Sequence, residues 1–124
     1  MATILLIDDD PEIRELISRF LTADGYEVVV ADGVNNALGL ISNGAHFSAA
    51  IVDFWLGEND AVGLLDAIHA KSPGVPIVMI SGGGGRFSIE TTQAVGEISG
   101  VAHFLQKPFR KSELLSVLSK AIQG

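Results

Sequence analysis

Five short apolar runs, at 4–7, 28–31, 49–56, 77–80 and 101–105, alternate along this chain with segments whose apolar residues recur every three or four positions. The runs are rich in β-branched residues and mostly continuous, the pattern of strands buried on both faces. The segments between them read as amphipathic helices. Ile13, Leu16, Ile17, Phe20 and Leu21 make one stripe, and Val34, Ala37, Leu38 and Ile41 a second. Ala61, Leu64, Leu65 and Ile68 make a third, and Leu114, Val117, Leu118, Ala121 and Ile122 the last. A helix over 88–98 rests on the sparser set Ile89, Val95 and Ile98. Asp10 before Pro11 reads as an N-cap with proline at the first helical position, and Gly25 and Gly44 read as caps after the first two helices. Strands alternating with helices make βα units. The expected fold class is therefore α/β, a doubly wound (βα)5 three-layer sandwich around a parallel five-stranded sheet.

A chain of 124 residues suits one domain, and no repeat, linker or second domain is apparent, so the expectation is a single domain over 1–124 with no output domain. Its 48% hydrophobic content excludes disorder. A net charge of −7 argues against direct nucleic-acid binding, which needs clustered Lys and Arg, and against anionic membranes. With no cysteine there is neither a disulfide framework nor a thiolate metal site. The start of the chain lacks a signal-peptide pattern, and the longest apolar run is interrupted by Asp53. A cytoplasmic protein is expected.

The polar residues that break the strand pattern carry the chemistry. Asp8 and Asp9 end the first run, Asp53 falls late in the third, Ser81 ends the fourth and Lys107 follows the fifth. In an open parallel sheet, ligands bind beyond the carboxyl ends of the strands. Four strands thus deliver three carboxylates, a hydroxyl and an ammonium to one end. Clustered carboxylates repel unless a cation joins them. An all-oxygen ligand set favours a hard ion such as Mg2+, with Mn2+ able to substitute. An aspartate can attack phosphorus and form an acyl phosphate, while a metal and a lysine neutralise the phosphoryl oxygens and Ser81 donates a hydrogen bond to one of them.

The chain resembles the receiver domains of response regulators in two-component signalling. The matching pieces are Ile7-Asp8-Asp9-Asp10, Val52-Asp53-Phe54, Met79-Ile80-Ser81-Gly82 and Lys107-Pro108-Phe109, in order and spanning nearly the whole chain. The resemblance implies a flavodoxin-like fold with strand order 2-1-3-4-5. It makes Asp53 the phosphoacceptor, Asp8 and Asp9 the acidic pair with Asp9 the more direct Mg2+ ligand, and the Trp55 backbone carbonyl a further ligand. Ser81 matches the switch hydroxyl, Phe104 the switch aromatic, and Lys107 the phosphate-binding lysine, whose bond to Pro108 is usually cis in the family. It implies a phosphorylation-dependent switch that is not an enzyme in its own right. A histidine kinase or phosphotransfer protein would supply the phosphoryl group. The surface of the fourth helix, fifth strand and fifth helix would meet an unknown downstream protein, with the domain a monomer or weak dimer. Two departures stand out. Leu56-Gly57-Glu58-Asn59-Asp60-Ala61 replaces the common Met-Pro-x-Met-Asp-Gly, and the stretch to Lys107 is long, with glycines at 82–85.

Other readings remain open at this level. Asp10 is explained by capping alone, and an acidic helix start suits the helix dipole. The glycines lack the Gly-Lys-Ser/Thr ending of a phosphate-binding P-loop and read as a flexible connection. His46, His69 and His103 have no metal-ligand spacing. Asp8-x-Asp10 also resembles the nucleophile motif of haloacid-dehalogenase-type phosphatases, although Glu12 stands where that family has Thr or Val. A degenerate receiver that only binds proteins is the third reading.

Overall fold

The computed structural model describes residues 2–44, 46–56, 59–60, 62–82, 89–98 and 100–123. Strands β1 (Thr3–Ile7), β2 (Glu27–Ala31), β3 (Ala49–Asp53), β6 (Ile77–Ser81) and β7 (His103–Gln106) form one parallel sheet in the order β2-β1-β3-β6-β7. A separate two-residue pair, β4 (Trp55–Leu56) and β5 (Asn59–Asp60), lies between β3 and the helix that follows. With that pair set aside, the order is 2-1-3-4-5, as expected. Helices α1 (Pro11–Ala23), α2 (Val34–Ser42), α3 (Val62–Lys71), α4 (Ile89–Ile98) and α5 (Lys111–Gln123) complete the βα alternation.

Alternation along each strand divides the core into two layers. Ile4, Leu6, Ala49, Ile51, Val78, Ile80 and Leu105 face one way and pack with Ile17 and Leu21 of α1 and Leu114 and Leu118 of α5. Leu5, Ile7, Ala50, Val52, Ile77 and Met79 face the other way and pack with Ala37 and Ile41 of α2 and with Leu64, Leu65 and Ile68 of α3. Burying each of these branched side chains contributes roughly 1.5–3 kcal/mol, so the central strands anchor both layers.

Helix α1 begins as the sequence indicates. Asp10 caps it, accepting from the amides of Glu12 and Ile13, and Pro11 opens the first turn. At the other end the C-cap is Asp24, not Gly25. Gly25 comes next with φ +92°, and the amide of Tyr26 reaches back to the Leu21 carbonyl, a closure that needs a left-handed residue at position 25.

Three expectations are corrected. The apolar run at 49–56 is not one strand: the parallel strand ends at Asp53, and Trp55 and Leu56 pair antiparallel with Asp60 and Asn59. The last sheet strand is His103–Gln106, two residues later than its apolar run starts. Strand β2 is not buried on both faces but forms an edge, with Val30 exposed. Glycines 83–85 and Ser88 lie outside the described residues.

Candidate functional site

Register brings the site together. In β1, Ile7 pairs with Ala31 and Val52, so Asp8 emerges beyond the ladder, its amide donating to the Ala31 carbonyl. Asp53 is the last residue of β3 and pairs with Ile80 of β6. Ser81 pairs with Gln106, and the amide of Lys107 donates to the Ser81 carbonyl at 2.8 Å. The Lys107–Pro108 peptide is cis.

The lysine joins the strand ends. Its Nζ lies 3.2 Å from Asp8 Oδ2 and 3.3 Å from Asp53 Oδ2. Asp8, Asp53 and Ser81 are buried, whereas Asp9 is exposed. Carboxylate oxygens of Asp8, Asp9 and Asp53 lie within 4.8 Å of one another. At an effective dielectric of about 20, each like-charge pair at that spacing costs about 3 kcal/mol, and each lysine contact returns about 5 kcal/mol. Among these charges alone, three repulsions nearly cancel two attractions. A further cation is therefore favoured. The donor set is all oxygen, partly exposed through Asp9, and fits Mg2+ better than a softer metal.

Burial alone would lower the pKa of Lys107, but the charges of Asp53 and Asp8 and their hydrogen bonds outweigh it and raise the pKa above its ordinary value. The group is therefore an ammonium throughout the neutral range.

Phe104 sits on the other side of the sheet. It pairs in register with Met79 and packs, partly buried, against the same layer. Trp55 lies two residues past Asp53 in β4; its indole is outside the described residues. Beside Lys107 an apolar groove of about 440 Å3 runs between α1, at Ile13, Leu16 and Phe20, and Pro108 and Phe109. The sequence pattern had placed Leu16 in the core stripe; it is 47% exposed and lines this groove. Arg14, to which the sequence reading gave no role, donates from Nη1 to the Asp8 carbonyl at 2.9 Å.

A doubly wound α/β domain that gathers three carboxylates and an ammonium at the carboxyl ends of its strands belongs to the class whose ligand site lies beyond those ends. Residues 4–119 match the family model described as response regulator receiver domain, and the chain belongs to that family. It is a receiver domain of two-component signalling. A putative response regulator, NtrX-like, from Rickettsia typhi is 37% identical over 97% of this chain and 25% of its own length. The chain thus spans about a quarter of that relative. Among solved structures, a CheY-like receiver domain protein from Methanospirillum hungatei superimposes with a TM-score of 0.89 at 27% identity, covering 99% of this chain and 94% of the other. The receiver domain of NtrX from Brucella abortus gives 0.86 at 33% identity, covering 97% and 98%. Among the described residues no helix is long and apolar enough to cross a membrane.

Proposed function

We propose that Asp53 is the phosphoacceptor of a signalling switch, taking its phosphoryl group from a histidine kinase or phosphotransfer protein. Asp8, Asp9, Asp53 and the Trp55 carbonyl would hold Mg2+, which neutralises phosphoryl charge when bound. The observation that carries the reading is the ion-pair bridge: Lys107 reaches two carboxylates that lie 99 and 54 residues away in sequence. No capping or solubility role needs that arrangement. In the transfer, an Asp53 carboxylate oxygen attacks phosphorus and forms the acyl phosphate bond. The bond from phosphorus to the donor nitrogen breaks, and that nitrogen keeps the electron pair. Lys107 would attract the incoming phosphoryl oxygens, and the buried Ser81 hydroxyl would hydrogen-bond one of them. The domain passes the change on through the surface of α4, β7 and α5 to a downstream protein. It turns over no external substrate and works in the cytoplasm as a monomer or weak dimer.

The test is labelling with acetyl phosphate, followed by mass spectrometry of the modified peptide. Label on Asp53, abolished by chelation and by Asp53→Asn, supports the reading. Undiminished labelling of Asp53→Asn overturns it. Label on Asp8 would instead favour phosphatase-like chemistry, and none at all a protein-binding module.

A further inference from the structure

Asp8 has four polar groups, and each has a partner. Its amide donates to Ala31, its Oδ1 accepts from the Asp10 amide at 2.9 Å, its Oδ2 meets Lys107, and its carbonyl accepts from Arg14. The first three hold Asp8 itself. The fourth acts differently, because the Asp8 carbonyl and the Asp9 nitrogen share one planar peptide unit. Fixing the carbonyl oxygen fixes the direction in which the chain enters Asp9, the exposed member of the acidic cluster.

We infer that Arg14 is a positioning residue for the Asp8–Asp9 pair, orienting the peptide between them so that the cluster binds a divalent cation. The inference rests on the metal site proposed above and adds to it a residue that touches no phosphoryl group.

The residue type suits the task. Arg14 stands in the first turn of α1, its own amide donating to the Asp10 carbonyl at 3.0 Å, so its stem starts from a capped and rigid helix end. From there the guanidinium reaches back six residues. It is always charged, and its planar donor fork loses little freedom on bonding. A charge-assisted bond to a carbonyl is roughly twice as strong as a neutral one.

Two effects of Arg14 on a cation oppose each other. Its charge repels the ion, whereas its hydrogen bond aligns a ligand. The charge acts from beyond ligand distance through a partly exposed side chain, where water and salt reduce it to a few-fold in affinity. Contacts that orient a metal ligand typically matter by about 10–100-fold. Positioning wins, so removing Arg14 weakens cation binding.

The experiment is calorimetric titration of the purified protein with Mg2+ and with Mn2+, in the absence of any phosphodonor. Arg14→Ala should raise the dissociation constant roughly 10-fold. Arg14→Lys keeps the charge and a single donor, and should fall between. Arg19→Ala is the control. It removes the same charge from the same helix, from a solvent-exposed pair with Glu15, and should change affinity by less than about twofold. With acetyl phosphate, Arg14→Ala should need more Mg2+ for half-maximal labelling yet reach the wild-type level at saturation, a split that a general loss of structure would not give. Thermal unfolding in chelator checks the fold; if Arg14→Ala unfolds, Arg14→Lys carries the comparison. Unchanged or tighter binding by both variants overturns the inference and leaves the phosphorylation reading intact. A wild-type protein that binds neither ion overturns the metal site itself.

Discussion

Replacing Lys107 with methionine removes the ammonium while keeping an unbranched stem against Gly82, where the lysine stem already packs. Two contacts, at 3.2 and 3.3 Å, disappear, and Asp8, Asp9 and Asp53 are left together. Removing one partner of a buried pair costs about 3–5 kcal/mol. The lysine side chain is 22% exposed, so water softens the loss, and we expect about 2–3 kcal/mol near pH 7. For a domain of this size that is roughly 10 °C in Tm. The sign of the pH dependence follows from the charges. Lys107 has a raised folded pKa, so in the wild type its contribution is fully present below the ordinary lysine value of about 10.4 and fades only as pH rises through the folded one. In the variant the three carboxylates face one another without a counter-charge, and acid relieves that repulsion by neutralising them. Urea unfolding near pH 7 and near pH 4 should therefore show a deficit that shrinks in acid. Added Mg2+ should raise the variant's Tm by more than the wild type's. A deficit under about 0.5 kcal/mol at both pH values would refute the account of Lys107 as the counter-charge of the cluster.

Three further outcomes are expected. Gly96→Ala should cost about 1 kcal/mol in urea unfolding, its clash partly offset by the helix-propensity gain, because its Cβ would lie 2.5 Å from Met79 Cε and 3.2 Å from Val101 Cγ2; a neutral result would mean that the flexible Met79 side chain swings aside. Asp10→Ala should lose about 1 kcal/mol through the α1 cap, with no loss of Asp53 labelling. Ser81→Ala should still accept phosphate, more slowly, but show smaller NMR shifts at Phe104 on binding a phosphoryl mimic; equal shifts in both proteins would remove Ser81 from the coupling.

Much of this was legible in the residues because burial and alternation leave strong marks. Val78 and Ile80, on a central strand, look buried and are. The valines at 28–30 look the same, yet they occupy an edge, since strand order is decided by long-range pairing that a local run does not encode. The run at 49–56 hid a break for a related reason. Phe54 is fully buried, so hydrophobicity continues past Asp53 although the parallel ladder does not. The site residues stood out because each is polar at the end of an apolar run. Arg14 did not, because on an amphipathic helix an arginine off the apolar stripe looks like any solvated charge. Only the three-dimensional turn between β1 and α1 shows that its guanidinium folds back onto Asp8.

The two-layer core has a consequence for how such a domain can be rebuilt. Asp8, Asp53 and Lys107 share strand parity with the layer that holds α1 and α5, whereas Phe104 shares parity with the layer that holds α2 and α3. Substitutions in the apolar groove beside α1 and substitutions around Met79 and Phe104 therefore fall in separate packing environments, and their effects should add. A designer could alter the α1 groove on one side and the Phe104 surroundings on the other, and combine the two sets of changes without repacking either.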